Sequence, residues 1–162
     1  MTTRTLSILA LLLPALAACE PAAEAPAPAP EAPADPAPVE QWELVASGEG
    51  VGLFLLGPGG RPQLALSCLE GGVLRAVAPG FTVIGSEERF TLGVGDEAFT
   101  LVAQVMDAPP GGVTAEGPAD PGLLRRLEAG GEVSALYGTQ QVGPTPGPDS
   151  ETARAFAEGC RA

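Results

Sequence analysis

Carboxylates are the only groups in this chain equipped to move protons near neutral pH. Twenty Asp and Glu face eight basic residues; all eight are Arg, and the chain holds no His, no Lys and no Asn. Without His there is no Ser-His-Asp or Cys-His catalysis and no His-ligated zinc. Without Lys there is no Ser-Lys dyad, Schiff base or P-loop phosphate clamp. Gly57 to Gly60 and Gly71-Gly72 read as turns, because neither joins a strand to a helix as a nucleotide-binding loop would. Two acidic pairs deserve weighing, Glu87-Glu88 and Asp96-Glu97. A glycosidase needs carboxyl groups about 5–9.5 Å apart across a sugar, whereas adjacent residues on a strand point to opposite faces. Glu87-Glu88-Arg89 therefore reads as a solvated turn, and Asp96-Glu97 as part of a hairpin turn. No loop has the alternating acids that calcium requires. Trp42 could stack on a sugar, but a lone Trp at the start of a strand is more often core. The expectation is no catalytic residue, no cofactor and no metal, with a carboxylate-dependent envelope enzyme as the alternative.

The three cysteines, at 19, 68 and 160, carry the remaining chemistry. Arg4 precedes an apolar run from Leu6 to Ala18, broken only by Ser7 and Pro14. That run is too short to cross a hydrocarbon core, which takes roughly 20 helical residues, and has the length of a signal-peptide core. It ends Leu16-Ala17-Ala18-Cys19, which resembles the lipobox of bacterial lipoproteins: a small apolar triplet before a lipid-modified Cys. The resemblance implies a signal peptide over residues 1–18, cleavage after Ala18, a diacylglyceryl group on the Cys19 sulfur and acylation of the new amino group. Two or more acyl chains anchor stably where one holds only marginally. The alternative is ordinary cleavage near Ala18 that leaves Cys19 free. Glu20 stands where such lipoproteins often carry an Asp for inner-membrane retention, which leans toward the outer membrane, facing the periplasm. With Cys19 lipidated, Cys68 and Cys160 remain in an oxidising compartment, and a disulfide between them is expected in preference to two free thiols. Bonded to each other, they could not ligate zinc.

Residues 19–39 comprise the lipidated Cys and a tether. Between 20 and 39 there are seven Pro, four acids and no basic residue. Such a segment buries too little apolar surface to offset its ordering entropy, and repeated Ala-Pro favours an extended spacer reaching roughly 60 Å at about 3.1 Å per residue. A Pro-rich recognition ligand is the alternative.

From Gln41-Trp42 onward, short apolar runs alternate with Gly-rich turns. Val51–Leu56, Gln63–Leu69, Val73–Ala78, Arg89–Val94, Ala98–Met106 and Glu132–Tyr137 read as strands. Gly95-Asp96 suits a two-residue type II′ turn, which pairs Leu92 with Phe99 and Phe90 with Leu101. A three-residue turn at Glu70-Gly71-Gly72 would set Cys68 opposite Leu74 and Leu66 opposite Ala76. Asp120-Pro121 caps a helix with Leu123, Leu124 and Leu127 inside and Gly130-Gly131 at its end. Gly138 to Pro148 reads as a loop. Ser150 is the expected cap of a last helix that carries Ala153, Phe156, Ala157 and Cys160 on one face. The fold class expected for residues 40–162 is one α+β domain: a mostly antiparallel sheet, sandwich-like or a partly open barrel, with two late helices.

The strand Leu64-Ala65-Leu66-Ser67-Cys68, running into a Gly hairpin, resembles small exported bacterial domains that include the membrane-bound lysozyme inhibitors. The likeness spans about 40 residues. Gly85-Ser86-Glu87-Glu88-Arg89 stands where their inhibitory loop would lie, without matching it. Charge bears on partners as well. The formal net charge is -12, and loss of Arg4 with the signal peptide takes it to about -13, which opposes nucleic acid and anionic headgroups by long-range repulsion. Residues 40–162 hold sixteen acids against seven Arg. A cationic envelope protein, of which lysozyme is one kind, fits that field, as does an acidic surface that serves only solubility. The function expected is a membrane-anchored, non-catalytic binding or structural module of the envelope.

Overall fold

A computed structural model describes residues 40–47, 50–106 and 111–161. Nine strands follow one another as β1 (Gln41–Ser47), β2 (Gly50–Leu56), β3 (Pro62–Leu69), β4 (Val73–Ala78), β5 (Arg89–Val94), β6 (Glu97–Ala103), β7 (Val113–Pro118), β8 (Val133–Tyr137) and β9 (Gln140–Thr145). Helix α1 (Pro121–Glu128) lies between β7 and β8, and α2 (Ser150–Arg161) closes the chain. All nine strands join one sheet in the order β1-β2-β3-β4-β7-β6-β5-β8-β9. Every pairing is antiparallel. The α+β class with late helices is thus observed.

Alternation decides which face is buried. On β2 to β5, alternate residues such as Leu53, Leu66, Leu74 and Phe90 lose all exposure, while their neighbours stay partly open. Both expected hairpins form in the expected register. Cys68 pairs with Leu74 and Leu66 with Ala76; Leu92 pairs with Phe99 and Phe90 with Leu101. At the second turn Gly95 has a φ of 64° while Asp96 stays negative, which suits type II′ and excludes type I′, where both central residues need positive φ.

The helices pack their apolar sides against β1, β2, β3 and β5. In α1, Leu123, Leu124 and Leu127 are buried, Pro121 opens the helix and the Asp120 carboxylate accepts the Gly122 N–H at 2.6 Å. In α2, Ala153, Phe156, Ala157 and Cys160 face inward. This helix packs on α1 and on β1, β2 and β3. The Cys68–Cys160 disulfide binds it to β3, with the two Cα atoms 5.1 Å apart. Arg161 adds an ion pair to Glu128 of α1 at 3.1 Å.

Three expectations need correction, and one strand was not anticipated. The cap of α2 is Asp149, whose carboxylate accepts the N–H groups of Glu151 and Thr152 at 3.0 Å; Ser150 is already the first helical residue. The stretch read as a loop, Gly138 to Pro148, contains β9. Its Pro144, preceded by a cis bond, is tolerated because β9 is an edge strand that need not donate on its outer side. Strand β6 stops at Ala103, well short of Met106, which is 90% exposed. Strand β7 was hidden between Gly-rich and Gly-Pro signals; pairing with β4 and β6 on its two sides makes it a strand.

Candidate functional site

Outside its regular elements, the sheet carries one loop of ten residues, Pro79 to Glu88, held to an unusual degree by side chains. Tyr137 is the chain's single tyrosine and is fully buried at the end of β8. Its hydroxyl accepts the Ile84 N–H at 3.1 Å and lies 2.9 Å from the Ile84 carbonyl and 2.8 Å from the Glu87 carbonyl, which share its proton. Between those residues the Glu87 N–H closes a tight turn on the Ile84 carbonyl at 3.0 Å. Gln140, at the start of β9, engages Thr82 as a strand neighbour would. Its amide nitrogen donates to the Thr82 carbonyl at 2.8 Å, and its amide oxygen accepts the Thr82 N–H at 2.6 Å. Phe81 anchors the other end, buried with its ring centroid 6.2 Å from that of Phe90. A loop with its backbone groups satisfied this way is pre-organised, which is what a binding surface requires.

Beside this loop, the outer face of β5, β6 and β8 forms a shallow basin of about 290 Å³ lined by Glu87, Arg89, Thr91, Thr100, Leu136 and neighbouring small residues. Thr91 pairs with Thr100 on one side and with Leu136 on the other, so the three side chains form a row across three strands. Arg89 and Thr91, two apart on β5, share one face of the strand, and Glu87, in the loop just before it, lines the basin with them. Gly138 completes the basin with a φ of 58°. A Cβ there would lie 2.7 Å from Cδ1 of Ile84, so glycine lets the loop pack down.

The two acidic pairs have different surroundings. Glu87 accepts the Arg89 N–H at 2.9 Å through its side chain, while the Glu88 carbonyl accepts the Ala103 N–H at 2.8 Å and continues the ladder. Asp96 and Glu97 both bond to Arg126 of α1. The Glu97 hydrogen bond is the main reason that the Arg126 guanidinium is held still more firmly protonated than usual. The two pairs sit at opposite ends of β5 and do not converge. Trp42 is half-buried against the core and donates from Nε1 to the Pro146 carbonyl at 2.7 Å. Cys68 and Cys160 are disulfide-bonded; Cys19 lies outside the described residues. Among the described residues no three acids or cysteines gather as a metal shell, and no buried side-chain polar atom lacks a partner.

A second hollow, of about 240 Å³, opens on the outer face of β1, β2 and β3 around Gly52, with Val45, Phe54, Ser67 and Leu69 among its lining residues. It offers an apolar surface without convergent charge. The sequence reading missed the Tyr137 and Gln140 clamps. For Tyr137 a signal existed: a tyrosine at a core-facing strand position must find a partner for its hydroxyl. Nothing marked Gln140.

No family model matches the chain, and no curated protein does. A solved structure, invasion associated protein B from Bartonella henselae, is similar over 76% of this chain and 95% of its own, at 14% identity and a TM-score of 0.47.

Proposed function

We propose that this chain is a non-catalytic binding or structural module of the bacterial cell envelope, anchored by lipid on Cys19 and displayed on its Pro/Ala-rich tether, on the periplasmic side of the outer membrane. The observation that carries the reading is the Leu16-Ala17-Ala18-Cys19 site at the end of a signal-like apolar run. The Cys68–Cys160 disulfide supports export, because such bonds persist in oxidising compartments. The non-catalytic part draws support from the acids. Asp96 and Glu97 are tied to Arg126, Asp149 is spent on a helix cap, and Glu87 and Glu88 do not form a facing pair. We read the sheet as a partly open barrel, its two edges drawn together where Trp42 of β1 bonds to Pro146 just beyond β9. The role that suits such a body is to present the clamped Pro79–Glu88 loop and its basin to a partner.

A cationic envelope protein such as a lysozyme is the second reading, favoured by the excess of acids over Arg in residues 40–162. Glu87-Glu88 and Asp96-Glu97 lie at opposite ends of β5 rather than on one rim, which ranks it below the first.

Intact-mass measurement of the membrane-extracted protein tests the anchor. The expected mass is that of a chain beginning at Cys19 with two or three acyl chains, and Cys19→Ser is expected to leave the membrane fraction. An unmodified Cys19 would end this reading. Turnover of cell-wall sugars that disappears with one carboxylate would replace the non-catalytic part with an enzyme.

A further inference from the structure

The basin on β5, β6 and β8 pairs one cation with one anion in a way that selects a ligand. Arg89 lines it and, like Arg61, Arg125 and Arg154, forms no ion pair among the described residues; of these four it is the one that lines the basin. Glu87 also lines it and forms no ion pair among the described residues; one of its oxygens accepts the Arg89 backbone N–H, and the other is left to accept from a ligand. A guanidinium presents a planar fork that matches a carboxylate bidentately. A glutamate offers only acceptors and calls for an N–H donor. Thr91 and Thr100, side by side in register, supply hydroxyls, and Leu136, 43% exposed, supplies an apolar wall.

We propose that this basin binds the carboxyl end of a short peptide whose last side chain is small and apolar. The proposal rests on the reading of this domain as a binding module and names the ligand class for it. The terminal carboxylate sits on the Arg89 fork, a peptide N–H turns to Glu87, the terminal side chain lies on Leu136, and the threonine hydroxyls bond what remains of the carboxylate. Size agrees, since about 290 Å³ lies at the lower edge of the range typical of small-ligand sites and holds only one or two residues. Charge agrees too. A phosphate or other dianion would meet Glu87 and the acidic field of the domain, while a ligand with one carboxylate and a neighbouring N–H donor satisfies both walls. The loop that carries Glu87 is already fixed by Tyr137 and Gln140, so little ordering entropy opposes binding.

Titration of the isotope-labelled full chain in detergent micelles with alanyl-alanine, followed by amide chemical shifts, tests this. Saturable shifts are expected at Arg89, Thr91, Thr100 and Leu136. Alanyl-alaninamide, which lacks the carboxylate, should bind about tenfold more weakly or worse, as loss of a charge-assisted pair implies. Arg89→Gln should weaken the dipeptide to the same extent, with shifts outside the basin unchanged. Equal binding of dipeptide and amide, or no saturation at all, would overturn the ligand assignment. Free alanine binding as tightly as the dipeptide would overturn the peptide part. None of these results touches the anchored-module reading, which the mass of Cys19 decides separately.

Discussion

Tyr137 ties one loop to the core of the sheet through a single atom. Its hydroxyl serves three backbone groups of the Pro79–Glu88 loop from a fully buried position. Tyr137→Phe keeps the ring but leaves the Ile84 N–H and the Glu87 carbonyl without this partner, while the Ile84 carbonyl keeps the Glu87 N–H; removing one partner of a buried hydrogen bond costs about 1–3 kcal/mol. The expected result is a lower denaturant midpoint at unchanged slope, together with faster hydrogen exchange at the Ile84 amide. Asp149 makes a different kind of prediction. Its carboxyl is held below the ordinary carboxylate range, first by the backbone N–H of Thr152 and then by the Thr152 hydroxyl. A depressed folded pKa adds stability that is complete above the unfolded value of about 3.9 and is lost as pH falls through the folded one. Asn also caps helices well but does not titrate. The melting-temperature advantage of wild type over Asp149→Asn should therefore be greatest above about pH 5 and shrink as pH falls below the unfolded value. A constant advantage across that range would show that the carboxylate charge contributes nothing.

At the scale of elements, α2 depends on its staple. The disulfide joins residues 92 apart in sequence and fixes the helix against β3. In the chain-entropy model, opening a loop of that length costs about 4–5 kcal/mol. Replacing Cys68 and Cys160 together by Ser, or reducing the protein, should lower the unfolding free energy by about that much. Gly159 shows how closely the helix and sheet approach, since a Cβ there would lie 2.4 Å from Cγ1 of Val51. Element legibility followed local pattern. The hairpin RFTLGV-GD-EAFTLVAQV could be read because its alternation and its turn chemistry point to one register, and that register is the one observed. Strands β7 and β9 could not be read, because VTAEGP and QQVGPT have little apolar alternation and end in Gly-Pro or contain it. Their neighbours in the sheet, β4, β6 and β8, supply the ladder that local propensity does not.

For the whole molecule, charge sets the scale. Sixteen acids and seven Arg share residues 40–162. Four ion pairs are formed among the described residues, all at least partly exposed and so each worth little. Repulsion among the remaining acids should dominate. Raising salt from about 10 to 500 mM at neutral pH should raise the melting temperature by screening that repulsion. A fall on adding salt would mean that the ion pairs outweigh it.

The sequence alone settled what depends on residue type and near neighbours: the chemistries barred by the absence of His and Lys, the helix with Leu123, Leu124 and Leu127 inside, the two hairpins and the apolar face of α2. Those features arise from composition, period and turn geometry, which act over a few residues. Only the tertiary structure decided the strand order that inserts β7 between β4 and β6, the meeting of Cys68 with Cys160, and the clamping of the Pro79–Glu88 loop by side chains about fifty residues away. Each of these joins groups whose types are ordinary and whose separation along the chain is long, so the energy that selects them comes from packing the whole sheet at once rather than from any segment of it.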